Sequence, residues 1–197
     1  MPFYLKEVDI VSDVAEFQST LIVLCRFCPA ASLALRKNQP YIELFRRFLK
    51  TESYERHIHD MQSRLEEGGA KTSTFQGNLL NYFMCMWTSR QREKFLEEAR
   101  HYEAVVVMGC EGAYENVCDV VKSTGCQVFH GMESEGILTA VPKFHWPFSV
   151  SLEIARVTPM LYQKKKIWIE KSEHSNPQNL KGEPHDRCLQ APGTEAG

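Results

Sequence analysis

Apolar residues change their spacing along this chain, and the change predicts two kinds of architecture. Up to about residue 135, short uninterrupted apolar runs alternate with stretches whose apolar positions recur every three or four residues. The runs Leu21-Ile22-Val23-Leu24, Leu79 to Cys85, Ala104 to Met108 and Cys126-Gln127-Val128-Phe129 read as strands covered on both faces. Between them, Pro29 suits the first turn of a helix that continues through Leu35, and Pro40 restarts a helix through Leu49. Tyr54, Ile58, Met61 and Leu65 mark one face of another helix, which Gly68-Gly69 stops. Ser89 reads as the N-cap of a helix whose inner face is Phe95, Leu96, Ala99 and Tyr102; a further helix, 112–124, carries Tyr114, Val117, Cys118 and Val121 and ends at Gly125.

This β-α-β-α-β-α-β alternation predicts an α/β fold with a parallel sheet of about four strands, flanking helices and right-handed crossovers. The helical stretch at about 38–70 reads as an insertion between the first two core strands. Residues 3–11 predict an edge strand or a loose arm. From residue 136 the pattern alternates instead: 137–144, 148–157 and 166–171 read as an antiparallel meander separated by Pro147, Pro159 and a basic turn. The expected organisation is therefore an α/β core over 1–135, a β extension over 136–171 and a disordered tail over 172–197, where apolar residues almost vanish.

Charge narrows the partners. The net charge is -2 and the one basic run is Lys164-Lys165-Lys166, so nucleic acid is not expected. No charged-then-apolar leader opens the chain, and no apolar stretch approaches the ~20 residues that cross a bilayer, so a soluble, cytoplasmic protein without a membrane partner is expected. The aromatic run around Lys143-Phe144-His145-Trp146-Pro147-Phe148 suits either an interface or a core. No phosphate-binding glycine loop, nucleophile elbow or zinc-protease motif is present.

The seven cysteines change the picture most. In a cytosolic chain they suggest metal or redox chemistry rather than a disulfide framework. Cys25, Cys85 and Cys110 each follow an apolar run, and Cys28 completes a Cys-x-x-Cys at a strand-to-helix junction. If the runs are neighbouring parallel strands, the four thiols share the crevice where an open α/β sheet places its ligand. Four thiolates suit zinc or a [2Fe–2S] cluster equally by ligand type. Gly109 and Gly112 bracket Cys110 and let the backbone approach a bound group. His130, at the end of the fourth strand, is an alternative fourth ligand to Cys85. Cys118 and Cys126 read as core thiols, Cys188 near His185 as a chance neighbour, and Glu111, Glu115, Glu133 and Glu135 as solvated loop charges. A metal-free dithiol enzyme, with Cys25 activated at the helix start, is a further possibility.

The same residues resemble a known pattern. Cys-Arg-Phe-Cys at 25–28, Met-Cys-Met-Trp around Cys85 and Gly109-Cys110 are similar to the Cys-x-x-Cys, the Cys-bearing strand end and the Gly-Cys strand end of the delta subunit of methyl-viologen-reducing hydrogenase, over roughly residues 20–115. The resemblance implies an iron-sulfur protein that passes electrons within a larger redox complex. The chain also resembles the zinc-bearing partner subunit of some bacterial methylenetetrahydrofolate reductases, which implies zinc and a methyl-transfer assembly. Two competing expectations stand beside electron transfer: a zinc-binding accessory or structural protein, and an enzyme with an open, cysteine-ligated metal site.

Overall fold

The computed structural model of the chain describes residues 2–43, 50–75, 83–146 and 149–160. In chain order its elements are β1 (Phe3–Glu7), α1 (Val11–Val14), β2 (Ser19–Leu24), α2 (Cys28–Arg36), β3 (Ile42–Glu43), α3 (Glu52–Glu67), β4 (Lys71–Phe75), a 3-10 turn at Met84–Met86, α4 (Ser89–Ala99), β5 (Ala104–Met108), α5 (Glu111–Val121), β6 (Gln127–His130), β7 (Met132–His145) and β8 (Ser149–Pro159). Among the described residues no helix is long and apolar enough to cross a membrane.

Two four-stranded sheets divide the strands. One is parallel, in the order β4-β2-β5-β6; the other is antiparallel, in the order β1-β7-β8-β3. The α/β class with a parallel sheet and a C-terminal antiparallel extension is thus present, and the antiparallel sheet also takes in β1 and β3. β5 throughout, and β2 from Leu21 on, are apolar because helices cover both sides: Leu21 to Val23 and Ala104 to Met108 are fully buried. Each such side chain contributes about 1.5–3 kcal/mol by leaving water. α2 packs on α3 and on β1, while α4 packs on α5.

The order of the parallel sheet matters for the site. After β2 the chain adds β4 on one side, then returns to add β5 on the other side of β2, and β6 beyond it. The strand order therefore reverses between β2 and β5, and the crevice outside their carboxyl ends is the topological switch point of the sheet.

Several boundaries differ from the sequence reading. The second core strand is not 79–85 but Lys71–Phe75, paired with Ser19 to Val23. This strand lies at the sheet edge, where Lys-Thr-Ser-Thr-Phe satisfies strand geometry through its β-branched residues without a long apolar run. Residues 79–82 lie outside the described residues, and Phe83 onward leads into the 3-10 turn that carries Cys85. The helix expected from Pro40 begins instead with the short strand Ile42–Glu43 against β8; 44–49 lie outside the described residues. The N-cap of α4 is Thr88 rather than Ser89: its Oγ1 accepts from the Gln91 amide and the Gln91 side chain accepts from the Thr88 amide, a capping box. The expected strand at 166–171 and the tail at 172–197 also fall outside the described residues.

β1 runs along β7 from Met132 to Ile137, and Leu138 donates its amide to Pro2. Beyond that point β7 continues on β8, whose far edge takes β3 at Ser149 and Val150. One face of this β7–β8 arm sets Ala140, Pro142 and Phe144 opposite Ile154, Leu152 and Val150. The other face is polar, with a Lys143–Glu153 ion pair and His145 Nε2 2.7 Å from Ser151 Oγ. Phe144 and Trp146 near the arm's tip are 81% and 88% exposed.

Candidate functional site

The site begins at the last residues of β2 and β5. Parallel pairing brings Leu24 level with Met108, and the register runs one step further, since the Cys25 amide donates to the Met108 carbonyl at 3.0 Å. Both strands then turn directly into helices. α2 starts at Cys28 with Pro29 in its first turn, and Cys110 is the N-cap of α5. Two short β-to-α turns, side by side at the switch point, thus deliver Cys25, Cys28 and Cys110 to one place.

Close packing of those turns explains the glycine between Met108 and Cys110. A Cβ on Gly109 would lie 2.6 Å from the Ala113 Cβ and 3.6 Å from the Cys25 Cβ, so only glycine lets α5 sit this near β2. Gly112 is different, because a Cβ there would make only ordinary contact, 3.6 Å from the Cys85 Cβ. Gly112 therefore marks where Cys85 lies, above the first turn of α5.

Cys85 arrives from the 3-10 turn rather than from a strand end. The turn is held from α5: Asn116 Nδ2 donates to the Met84 carbonyl at 2.7 Å, and Arg92 on α4 donates to Asn116 Oδ1 at 2.6 Å while also pairing with Asp119. Met84 is buried, and Phe83 packs edge-on against Phe27 of the Cys25-to-Cys28 turn, with ring centroids 5.0 Å apart. Below the turn, Trp87 and Phe75 pack on Phe95.

Electrostatic interactions among the thiols centre on Cys110. Cys28 donates a hydrogen bond to it, and the amides of Gly112 and Ala113 point at the same sulfur. Together they hold the Cys110 thiol down at about 6, against the opposing effects of burial and of the Glu111 carboxylate. The same hydrogen bond pushes Cys28 up, reinforced by burial and offset in part by the Phe3 amide, 3.4 Å from its sulfur. Burial also pushes Cys25 up, opposed by the amides of Met84 and Phe27 and aided by the charges of Cys110 and Cys85. Cys85 is raised by its partial burial and by Cys110. Cys25, Cys28 and Cys110 are buried, and Cys85 is exposed.

The structure therefore brings together all four cysteines expected from the sequence, with Cys28 and Cys110 in direct contact. Their arrangement is pairwise: among the described residues no three Cys, His, Asp or Glu side chains stand close enough to hold a single ion. Both thiols of the Cys-x-x-Cys are pushed up, Cys25 by burial and Cys28 by its bond to Cys110 and by burial, so the helix start does not activate Cys25. The activated thiol is Cys110.

His130 takes another role than ligand. Its Nε2 lies 3.0 Å from the Gly109 carbonyl and its ring stacks on Tyr114 at 4.8 Å, which anchors the Gly-Cys turn. Cys126 donates to the carbonyls of Ala99 and Tyr102 and lies apart from the site, whereas Cys118, expected as a core thiol, is disulfide-bonded and not a free thiol. Three of the glutamates have partners, Glu133 and Glu135 while still exposed to solvent. Glu111 accepts from the amide and hydroxyl of Ser134, Glu133 pairs with Lys6 and Glu135 with Arg36, because β7 starts earlier than its alternation announces.

Other supports carry no sequence signal of their own. Asn116 and Arg92 are ordinary helix residues until the turn is placed above them. Tyr54, fully buried on α3, reaches the Met108 carbonyl at 3.4 Å, beside the Cys25 amide that uses the same oxygen. Arg26, within the Cys-x-x-Cys, pairs with Glu55 on α3. Comparison with family models, with curated proteins and with solved structures finds no match for this chain.

Proposed function

We propose that the protein binds a metal centre through Cys25, Cys28, Cys85 and Cys110, an iron-sulfur cluster of the [2Fe–2S] type, and carries electrons within a larger protein assembly. The observation that carries this reading is the gathering of four thiols, from three separate chain segments, around Cys110 at the switch point of the sheet. Soft thiolate donors alone are the ligand set of such clusters. A single zinc ion, which needs its donors within one bond length, ~2.3 Å, of a common point, is the competing occupant.

The chain's own residues would set the properties of such a centre. Amides of Phe3, Phe27, Met84, Gly112 and Ala113 point at the sulfurs, and amide donors of this kind raise a cluster's potential by stabilising negative charge. Buried Tyr54 and Met84, with partly buried Phe27, exclude water on the inner side. Cys85 is the exposed thiol and marks the side from which electrons would enter or leave.

Anaerobic purification followed by iron, sulfide and zinc analysis and a visible spectrum tests the reading. A brown protein with iron and acid-labile sulfide in equal amounts is expected. One equivalent of colourless zinc would replace it with the zinc-accessory reading, and Cys110→Ser retaining full metal content would overturn the site.

A further inference from the structure

We propose that β1 is a strap over the cysteine site, and that the state of the Cys28 sulfur sets how tightly the strap's N-terminal end is held. Occupancy of the site is thereby coupled to the order of the first strand. The coupling to loading rests on the metal reading above, whereas the strap itself rests on hydrogen bonds within the chain.

β1 is the outermost strand of its sheet, with β7 on one side and no strand on the other among the described residues. An uncovered edge leaves backbone amides and carbonyls in need of partners. Here one stripe of α2 takes the place of the missing strand. Cys28, Ser32 and Arg36 stand four residues apart on one helix face. The Phe3 amide donates to Cys28 Sγ at 3.4 Å, the Leu5 amide donates to Ser32 Oγ at 2.9 Å, and Arg36 Nε donates to the Leu5 carbonyl at 2.8 Å. Four helical residues rise about 6 Å and two strand residues about 6.7 Å, so the stripe keeps step with every second residue of β1. Lys37 continues the contact by pairing with Glu7.

These attachments differ in kind. Around Leu5 the partners are a hydroxyl and a guanidinium, and Arg36 also lies over the Tyr4 ring, 4.4 Å from its centroid, and pairs with Glu135. At Phe3 the acceptor is a thiol sulfur, the weakest acceptor of the set. A register shift between Tyr4 and Leu5 separates the two ends. The Phe3 end is thus the part of the strand that can come loose, and it lies on a residue of the site. It also helps to bury Cys28, which is 7% exposed. A metal-bound Cys28 is a thiolate, and hydrogen bonds to a charged acceptor are roughly twice as strong as neutral ones. Loading therefore tightens the strap, and by reciprocity a tightened strap favours the loaded site.

Residue-resolved amide hydrogen exchange on the full-length chain, first freed of metal by a chelator, tests the strap. Cys28→Ala should speed exchange at Phe3 by roughly two- to tenfold relative to Val23 in the core, the contribution of one ordinary hydrogen bond. Ser32→Ala removes an attachment without touching a sulfur, and should speed alkylation of Cys28 by iodoacetamide relative to Cys126. Unchanged Phe3 exchange in the first variant, or unchanged Cys28 alkylation in the second, would overturn the strap. Anaerobic loading with ferrous iron and sulfide should then slow exchange at Phe3 in the unaltered chain. Iron uptake with no change at Phe3 would overturn the coupling and leave the cluster reading standing. A chain that takes up no iron would sink the cluster reading and the coupling together, while the two variants still decide the strap.

Discussion

Asn116, on the second turn of α5, donates through Nδ2 to the Met84 carbonyl at 2.7 Å and so fixes the turn that carries Cys85 to the helix that Cys110 caps. Removing that side chain leaves the carbonyl of buried Met84 without its donor and Arg92 with Asp119 but without Asn116. Asn116→Ala should cost about 1–3 kcal/mol in urea unfolding. It should also speed alkylation of Cys85 relative to Cys126, a readout that a purely global loss of stability moves equally for both. Unchanged Cys85 reactivity would show that the turn is held by other means.

Gly109 and Gly112 give a paired prediction. A methyl at Gly109 meets the Ala113 Cβ at 2.6 Å, between two rigid elements, so Gly109→Ala should destabilise by about 1–3 kcal/mol through overpacking. At Gly112 the nearest atom is the Cys85 Cβ at 3.6 Å, and Gly112→Ala should stay within about 1 kcal/mol, since alanine favours the helix. Equal midpoints for the two variants in chemical denaturation would contradict this account of the switch-point packing.

His57 predicts a pH dependence. Burial lowers its pKa below the ordinary value, against the opposing pull of Glu7, whose carboxylate is 3.2 Å from Nδ1. Its Nε2 is buried without a hydrogen-bond partner among the described residues, as a neutral ring donating through Nδ1 requires. Above the unfolded value near ~6.5 the histidine is neutral in both states and stability is full. As pH falls below that, the unfolded chain takes up the proton first, so stability drops until pH passes the lower folded value. Urea midpoints should therefore fall between about pH 7 and pH 5, and His57→Gln should flatten the slope.

Cys126 separates structural thiols from site thiols. Its sulfur donates to two carbonyls at the end of α4, 3.1 Å from Ala99 O and 2.9 Å from Tyr102 O. Cys126→Ala should cost about 0.5–1.5 kcal/mol and leave bound metal unchanged, whereas Cys110→Ser should remove it. Equal metal loss in both would move the boundary of the site.

The sequence announces what full burial enforces. β5 and the Leu21–Leu24 part of β2 must be apolar because helices cover both faces, and the thiols that end them are visible for that reason. β4 was hidden because an edge strand needs only half a buried face, and Lys71-Thr72-Ser73-Thr74-Phe75 supplies that without an apolar run. The apolar stretch before Cys85 drew the strand assignment instead, although Cys85 itself belongs to the site. Contacts made across the fold left no local trace at all: Asn116 with Met84, Glu111 with Ser134 and His130 with Gly109 join residues 21 to 32 positions apart.

The β7 arm bears on how the protein behaves at high concentration. Past Leu138, its outer edge has no neighbouring strand among the described residues, which is the usual invitation for another chain to add itself to the sheet. Pro142 stands midway along that stretch and has no amide hydrogen to offer, and Lys143 follows it with a charge. An incoming strand would meet a missing donor and a cation where it needs a continuous ladder. Thus one proline, with the lysine after it, keeps this open edge from serving as a template for fibrous assembly.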